Sequence, residues 1–123
     1  MPRKIVFPGE PLSTQHLYKI ARFGSPNGII MTAEGKAAKE AYGWEAKRQW
    51  QGKPLQGEIV CSVTFYFATK RRRDLDNQNK ILFDALSGIA YEDDSQIGEL
   101  RLKREYGRSR PRIEIEIQEA PAI

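Results

Sequence analysis

Acidic side chains are concentrated between residues 74 and 94. Six carboxylates lie there: Asp74, Asp76, Asp84, Glu92, Asp93 and Asp94. A basic run precedes them at 70–73, and a second follows at 101–112. Carboxylates repel a polyanion held by such runs, unless a divalent cation bridges them to phosphate oxygens. Mg²⁺ suits this set because it prefers oxygen ligands and completes its shell with water and phosphate, and Mn²⁺ accepts the same ligands.

The spacing of these residues brings several of them to one place. Asp74 and Asp76 are two apart, so in an extended chain they point the same way. Asp76 is also well placed to cap a following helix, on which Lys80 and Asp84 fall at i+4 and i+8. A lysine there can neutralise charge, orient a water or stabilise a leaving oxygen. Asp94 has to be brought in by the fold, from the loop before the next strand.

Taken singly, each of these features is also typical of ordinary structure. An Asp-x-Asp before a helix is commonly a capping residue with a solvated neighbour, and 92–94 could equally form an exposed acidic turn. Lys80 and Asp84 match a surface ion pair. The basic run at 71–73 fits a solvated loop or the protection of a sheet edge.

Composition narrows the class of protein. The 123 residues fit one domain, which we expect to cover 1–123, and 20 basic against 16 acidic residues give a charge of +4 that favours a polyanionic partner. One cysteine, Cys61, and one histidine, His16, exclude an internal disulfide and a Cys/His zinc site. Without a membrane-spanning or secretory apolar run, we expect a cytoplasmic protein with no membrane partner.

The elements of the first half are less regular than those of the second. We expect a strand at 3–7, mostly loop at 8–28, a short strand at 28–31, and a helix from Thr32 to about Trp50. Ala37, Ala41 and Trp44 recur at helical spacing, which predicts the buried face of this helix. The face opposite is then polar: Lys36, Glu40, Gly43 and Lys47.

The second half predicts the framework of the fold. Residues 58–68 indicate a central strand covered on both faces. Residues 75–87 indicate a helix that ends at Gly88. Four of its residues form the expected buried side: Ile81, Leu82, Ala85 and Leu86. Strands follow at 97–104 and 112–118. The order predicts an α+β (mixed α/β) domain, with a single mixed sheet of about five strands and two main helices.

A longer string of residues resembles a known family. Residues 72–77 read Arg-Arg-Asp-Leu-Asp-Asn, and Lys80, Asp84-Ala-Leu and Asp93-Asp-Ser-Gln follow. This string resembles the RusA family of Holliday-junction resolvases, in which each of these positions recurs with similar spacing. A weaker likeness upstream includes Pro11, Ser13, Tyr18 and 32–36, and departs at Leu12 and Gln15, where the family often has Pro and Asn.

The resemblance implies roles for the matched residues. Asp74, Asp76 and Asp94 match the family's essential carboxylates, which would hold Mg²⁺, and Lys80 matches its essential lysine. The remaining matches imply supporting roles: Asn77, Asp84 and Asp93. Family members are homodimers of mixed α/β fold, common in phages and prophages, that nick two opposed strands of a four-way junction. The expected location is therefore the cytoplasm of a bacterial or phage-infected cell.

Dimerisation and DNA binding also follow from simpler arguments. Two symmetric cuts by a nuclease with one site per chain call for a twofold dimer. The two basic runs, which hold half of the 20 basic side chains, are the expected DNA contacts: Lys70, Arg71, Arg72, Arg73, Arg101 and Lys103. Phe83 lies on the second helix, where core packing is the more usual role than propping open a junction.

Three functions follow from these features. The first is a Mg²⁺-dependent structure-selective endonuclease, and the second a DNA-binding protein whose acidic cluster is structural. The third is a small-molecule phosphohydrolase, for which the chain lacks both Gly-x-x-x-x-Gly-Lys-Ser/Thr and Gly-x-Gly-x-x-Gly. We therefore expect no organic cofactor.

Overall fold

The computed structural model describes residues 2–9, 11, 18–20, 29–31, 33–68, 76–106 and 110–121, with the backbone alone at 18–20, 29–31 and 76–79. Its elements are β1 (Arg3–Pro8), β2 (Tyr18–Ile20), β3 (Ile29–Met31), α1 (Ala33–Gln49), β4 (Ile59–Phe67), α2 (Asp76–Leu86), β5 (Ile97–Tyr106) and β6 (Arg112–Glu119). A 3-10 turn at Asp94–Gln96 precedes β5. Neither helix in these ranges is long and apolar enough to cross a membrane.

Four strands form one mixed sheet in the order β1-β6-β4-β5. β4 runs parallel to β5 and antiparallel to β6, and β1 pairs antiparallel with β6. The parallel pair needs a crossover, which α2 supplies. The α+β class, the mixed sheet and the two helices are therefore confirmed.

The expectation of about five strands in a single sheet was wrong. β3 does not join the main sheet, because it pairs antiparallel with β2 in a separate two-stranded ladder. The ladder also corrects the loop expected at 8–28, since Tyr18–Ile20 lies inside it. Strands of three residues are too short to show an alternating pattern, and their pairing depends on a partner elsewhere in the chain.

β4 is the central strand, as its sequence predicted, but only one of its faces is fully buried. Five alternate side chains are 0–1% exposed: Ile59, Cys61, Val63, Phe65 and Phe67. Those between them are half-buried, because α1 and α2 both contribute to the core on the first face. The expectation that both faces of β4 are covered was therefore wrong. β6 continues the buried face through Ile113, Ile115 and Ile117.

α1 packs on the sheet by a face other than the expected one. Ala38 and Ala46 are buried and Tyr42 is half-buried, whereas Ala37, Ala41 and Trp44 are exposed. The expected face was wrong because α1 has small or apolar residues of its own on both sides. The periodicity of the sequence alone therefore cannot decide which of the two sides is buried. The Gln49 side chain decides the orientation further by bonding the backbone N–H and C=O of Val6 in β1, at 2.8 and 2.7 Å.

We predict that an Ala→Glu substitution destabilises the protein on the buried face of α1 but not on its exposed face. Ala46→Glu places an unpaired carboxylate at a fully buried position and costs several kcal/mol, enough to unfold a marginally stable domain. Ala37→Glu, on the exposed side, leaves the protein folded. Circular dichroism melting of both variants measures the difference, and equal melting temperatures would contradict this orientation of α1.

Candidate active site

α2 is the element on which four of the candidate residues lie. The helix begins at Asp76, one residue after the expected start, and ends at Leu86. Lys80 is exposed and Asp84, one turn later, is half-buried. The structure does not describe the side chains of Asp76 and Asn77, and Asp74 and the basic run 70–73 lie outside the described residues.

The opposite side of α2 is anchored in the core. All four residues predicted to be buried are 0–5% exposed: Ile81, Leu82, Ala85 and Leu86. Phe83 is 6% exposed and belongs to the main core cluster, which confirms its packing role and leaves it no access to a junction. Gly88 has a φ of +86°, the left-handed conformation that ends a helix most readily at glycine. Its N–H donates to the carbonyl of Tyr91 at 2.7 Å, so the chain turns back toward α2.

Tyr91 connects this turn to α2. Its fully buried side chain donates from the phenol to the carbonyl of Phe83 at 2.8 Å, and the Ser87 hydroxyl donates to the same carbonyl at 3.2 Å. Burial raises the pKa of the Tyr91 phenol well above its ordinary value, electrostatic interaction with Cys61, Asp94 and Asp84 raises it further, and a hydrogen bond with Ser87 lowers it. The bond from the phenol to the Phe83 carbonyl ties the turn after α2 to the helix itself.

Asp93 and Asp94 are held in place by a hydrogen-bonded turn. The Asp93 carboxylate accepts from the Ser95 N–H at 3.0 Å and caps the 3-10 turn, which begins at Asp94. Hydrogen bonds from Ser95 lower the pKa of this exposed carboxyl group. Asp93 thus has a structural role, whereas Asp94 is exposed to solvent.

The Gln96 side chain fastens this turn to the preceding loop. Its Oε1 accepts from the N–H groups of Glu92 and Asp93 at 2.7 and 2.9 Å. Its Nε2 donates to the carbonyls of Leu55 and Gly57 at 2.9 and 2.8 Å. The amide therefore uses both ends at once, and it positions Asp94 relative to the start of β4.

The sequence motif includes Gln96 but predicts no role for it, and it does not include Tyr91. The role of Gln96 had a signal, because an Asp followed three residues later by Gln is the pattern of a capping box, which Asp93 and Gln96 form. Tyr91 had none, since its partner carbonyl belongs to a helix that the sequence does not place beside it.

Arg101 and Lys103 lie on the face of the sheet that α2 does not cover. The register pairs them with Ser62 and Thr64 of β4, which point away from the buried face. Each forms an exposed ion pair on its own strand, Arg101 with Glu99 at 2.9 Å and Lys103 with Glu105 at 3.1 Å. The structure therefore does not bring these two cations together with Lys80 and Asp84.

A charged network on the same outer face joins β1 to β6. Glu114 accepts from Lys4 at 2.6 Å and from Arg112 at 2.5 Å, and the Arg112 guanidinium lies 3.8 Å from the centre of the Tyr66 ring. Burial opposes ionisation of Glu114, but the hydrogen bonds from Lys4 and Arg112 outweigh it and lower the pKa of this carboxyl group.

Of the three expected metal ligands, the structure describes the side chain of Asp94 alone. Among the residues that the structure describes, no three acidic, cysteine or histidine side chains form a group able to hold a metal ion. Two members of the expected metal set are not described at the side-chain level, so the set Asp74, Asp76 and Asp94 stays a prediction.

The fold defines a small α+β protein in which α2, the helix that connects two parallel strands, carries Lys80 and Asp84. The family model for endodeoxyribonuclease RusA matches residues 8–118, nearly the whole chain. The chain therefore belongs to the RusA endodeoxyribonuclease family, and this membership implies a Holliday-junction endonuclease. Nucleases of this family are generally metal-dependent. No curated protein matches the chain.

We predict that Gln96→Glu destabilises the turn. The new carboxylate still accepts from Glu92 and Asp93 but faces the carbonyls of Leu55 and Gly57 without a donor, which costs about 1–3 kcal/mol at pH 7. Urea unfolding measures the loss. Gln118→Glu, at an exposed position of β6, is the matched control and should unfold like the wild type. An unchanged midpoint for Gln96→Glu would contradict the fastening role.

The lowered pKa of Glu114 predicts that the stability of the fold decreases at acidic pH. The pKa of Glu114 is lower in the folded protein than the ordinary value of 4.5, so the ionised group stabilises the fold at any pH above 4.5. This contribution disappears as the pH falls through the pKa of the folded state. Glu114→Gln should therefore lower the melting temperature at pH 7 and reduce its fall in acid. Glu116→Gln, exposed on the same strand, is the control. A melting profile of Glu114→Gln that parallels the wild type throughout would refute the argument.

Proposed function

We propose that this chain, as one domain over 1–123, is a structure-selective endodeoxyribonuclease. It resolves four-way DNA junctions by Mg²⁺-dependent paired hydrolysis of phosphodiester bonds. The family match over residues 8–118 carries this proposal. The exposed positions of Lys80 on α2 and of Asp94 in the turn before β5 support it.

Asp74, Asp76 and Asp94 are the proposed ligands of Mg²⁺, for which Mn²⁺ can substitute. The chemistry of the donors fits, because all three are carboxylates and Asp94 is exposed to solvent. A bound Mg²⁺ supplies polarisation of the phosphate and a more acidic water. Asp84, Asp93 and Asn77 support this set, and Asp93 does so through its cap on the turn.

Lys80 is the proposed cation at the reacting phosphate. Its exposed side chain starts from a helix whose other side is fixed in the core, so the position of the backbone beneath it is well defined. A lysine there can hold the phosphate or stabilise charge on the departing oxygen. Both roles need only that the ammonium reaches the DNA backbone.

DNA contacts are proposed for both basic runs, in a homodimer whose two sites cut opposed strands. Lys70, Arg71, Arg72 and Arg73 directly precede the acidic string in sequence. Arg101 and Lys103 lie on the outer face, in exposed ion pairs that are worth little and that a phosphate can displace. They would therefore contact a part of the junction away from α2.

The alternative is a junction-binding protein without catalysis, in which the acidic residues are structural. The cap formed by Asp93 favours it, because this carboxylate already has a structural task. Catalytic loss on substitution of a proposed metal ligand separates the two functions.

The test uses a labelled immobile four-way junction and its linear duplex arms, with Mg²⁺ or with EDTA. We predict paired symmetric nicks in the junction alone, which disappear with EDTA and fall at least about 100-fold in Asp76→Asn. Glu119→Gln, which removes an exposed carboxylate at the end of β6, should cut like the wild type. Asp76→Asn should still retard the junction in gels, since it loses a negative charge. A wild type that binds the junction but never cuts it with any divalent metal would leave only the binding function.

A further inference from the structure

α1 carries a second apolar face that its own fold does not use. The side buried in the domain includes Ala38 and Ala46. On the opposite side, Ala37, Ala41 and Trp44 are exposed at spacings of four and three residues, and we call these three the outward stripe. Trp44 is 75% exposed. A helix on the surface of a single domain needs only one apolar face. A second apolar face that contains a tryptophan is typical of an interface.

A groove adjoins the outward stripe. It has a volume of about 740 Å³ and lies between α1 and the end of α2, with Trp44 at its rim. Small and apolar groups line part of it, among them Gly43 and Ala85. A Cβ atom on Gly43 would lie 4.0 Å from the carbonyl of Ala85, so the two helices approach closely at this point. The groove has room for an aromatic side chain of another molecule.

The charges around the groove distinguish between two occupants. Lys39 and Lys47 line it together with Glu40 and Asp84, so cations and anions balance. A phosphate backbone would gain from the lysines but be repelled by the two carboxylates. In a second copy related by a twofold axis, lysines can pair with the carboxylates of this surface and carboxylates with its lysines, so the mixed charge suits a second copy better than a phosphate backbone.

We propose that the outward stripe and this groove form the contact between two copies of the chain, with Trp44 of each copy in the groove of the other. This inference rests on the homodimer of the proposed function and names its surface. Tryptophan is among the residues that contribute most to protein interfaces when it fills a pocket. Apart from Trp44, Leu100 is the large apolar side chain that is exposed within the described residues, and it lies on β5, the edge strand of the sheet.

The experiment compares four proteins by light scattering after size exclusion and by sedimentation velocity over a range of concentrations. We expect a dimer for the wild type and for Trp44→Phe, which keeps an aromatic ring. Trp44→Glu should raise the dimer dissociation constant at least about thirtyfold. Leu100→Glu introduces the same charge at the other exposed apolar residue and should remain a dimer. Near-ultraviolet circular dichroism verifies that each variant is folded.

Three results would overturn the proposal. One is a wild type that is monomeric at every concentration, and another is a Trp44→Glu variant that dimerises like the wild type. The third is a Leu100→Glu variant that is monomeric while Trp44→Glu is dimeric, which would assign the contact to the edge of β5. If Trp44→Glu stays dimeric but no longer binds a junction, the stripe contacts DNA instead. Junction cutting by the wild type is scored separately, so failure of this interface does not count against the nuclease function.

Discussion

Burial of one face of β4 is the constraint on which the rest of the structure depends. Its alternate side chains are almost inaccessible to solvent, and both helices supply the apolar groups that cover them. Because side chains of a strand alternate between faces, this choice also sorts the charged residues of the neighbouring strand. Arg101 and Lys103 fall on the outer face, while α2 presents Lys80 and Asp84 on the covered side. A junction held by all of these groups must therefore extend around the edge of the sheet.

Hydrogen bonds of two neutral side chains, together with the cap formed by Asp93, hold the described part of the candidate site in place. Gln96 fastens the turn that carries Asp94 to the loop before β4, and the Tyr91 phenol ties the preceding turn to the Phe83 carbonyl. Both partners are backbone groups, which lie where the fold puts them irrespective of charge. An acidic cluster repels itself in the absence of a cation. The bonds of Gln96 oppose this repulsion, because they fasten the turn that carries Asp94 to the loop before β4.

Prediction from sequence succeeded where a periodic pattern had a single solution. β4 was foreseeable as a strand, although one of its two apolar faces is only half-buried, and α2 was foreseeable together with its buried side. α1 was foreseeable as a helix but not in its orientation, since Ala37 is exposed and Ala38 is buried although they have the same side chain. The ladder of β2 and β3 was not foreseeable as a whole, because pairing between three-residue strands is decided by contacts distant in sequence.

The sequence by itself determined the chemistry of this protein: which acidic and basic side chains it has, their order along the chain, and the family to which that order belongs. It also determined the buried side of α2, because helical periodicity is a local property. Tertiary structure alone decided which groups meet. It fastened the turn of Asp94 to the loop before β4 through Gln96, set Arg101 on the outer face of the sheet, and left Trp44 exposed beside a groove. These outcomes depend on the packing of elements that are distant in sequence, and no local pattern encodes the side on which two such elements make contact.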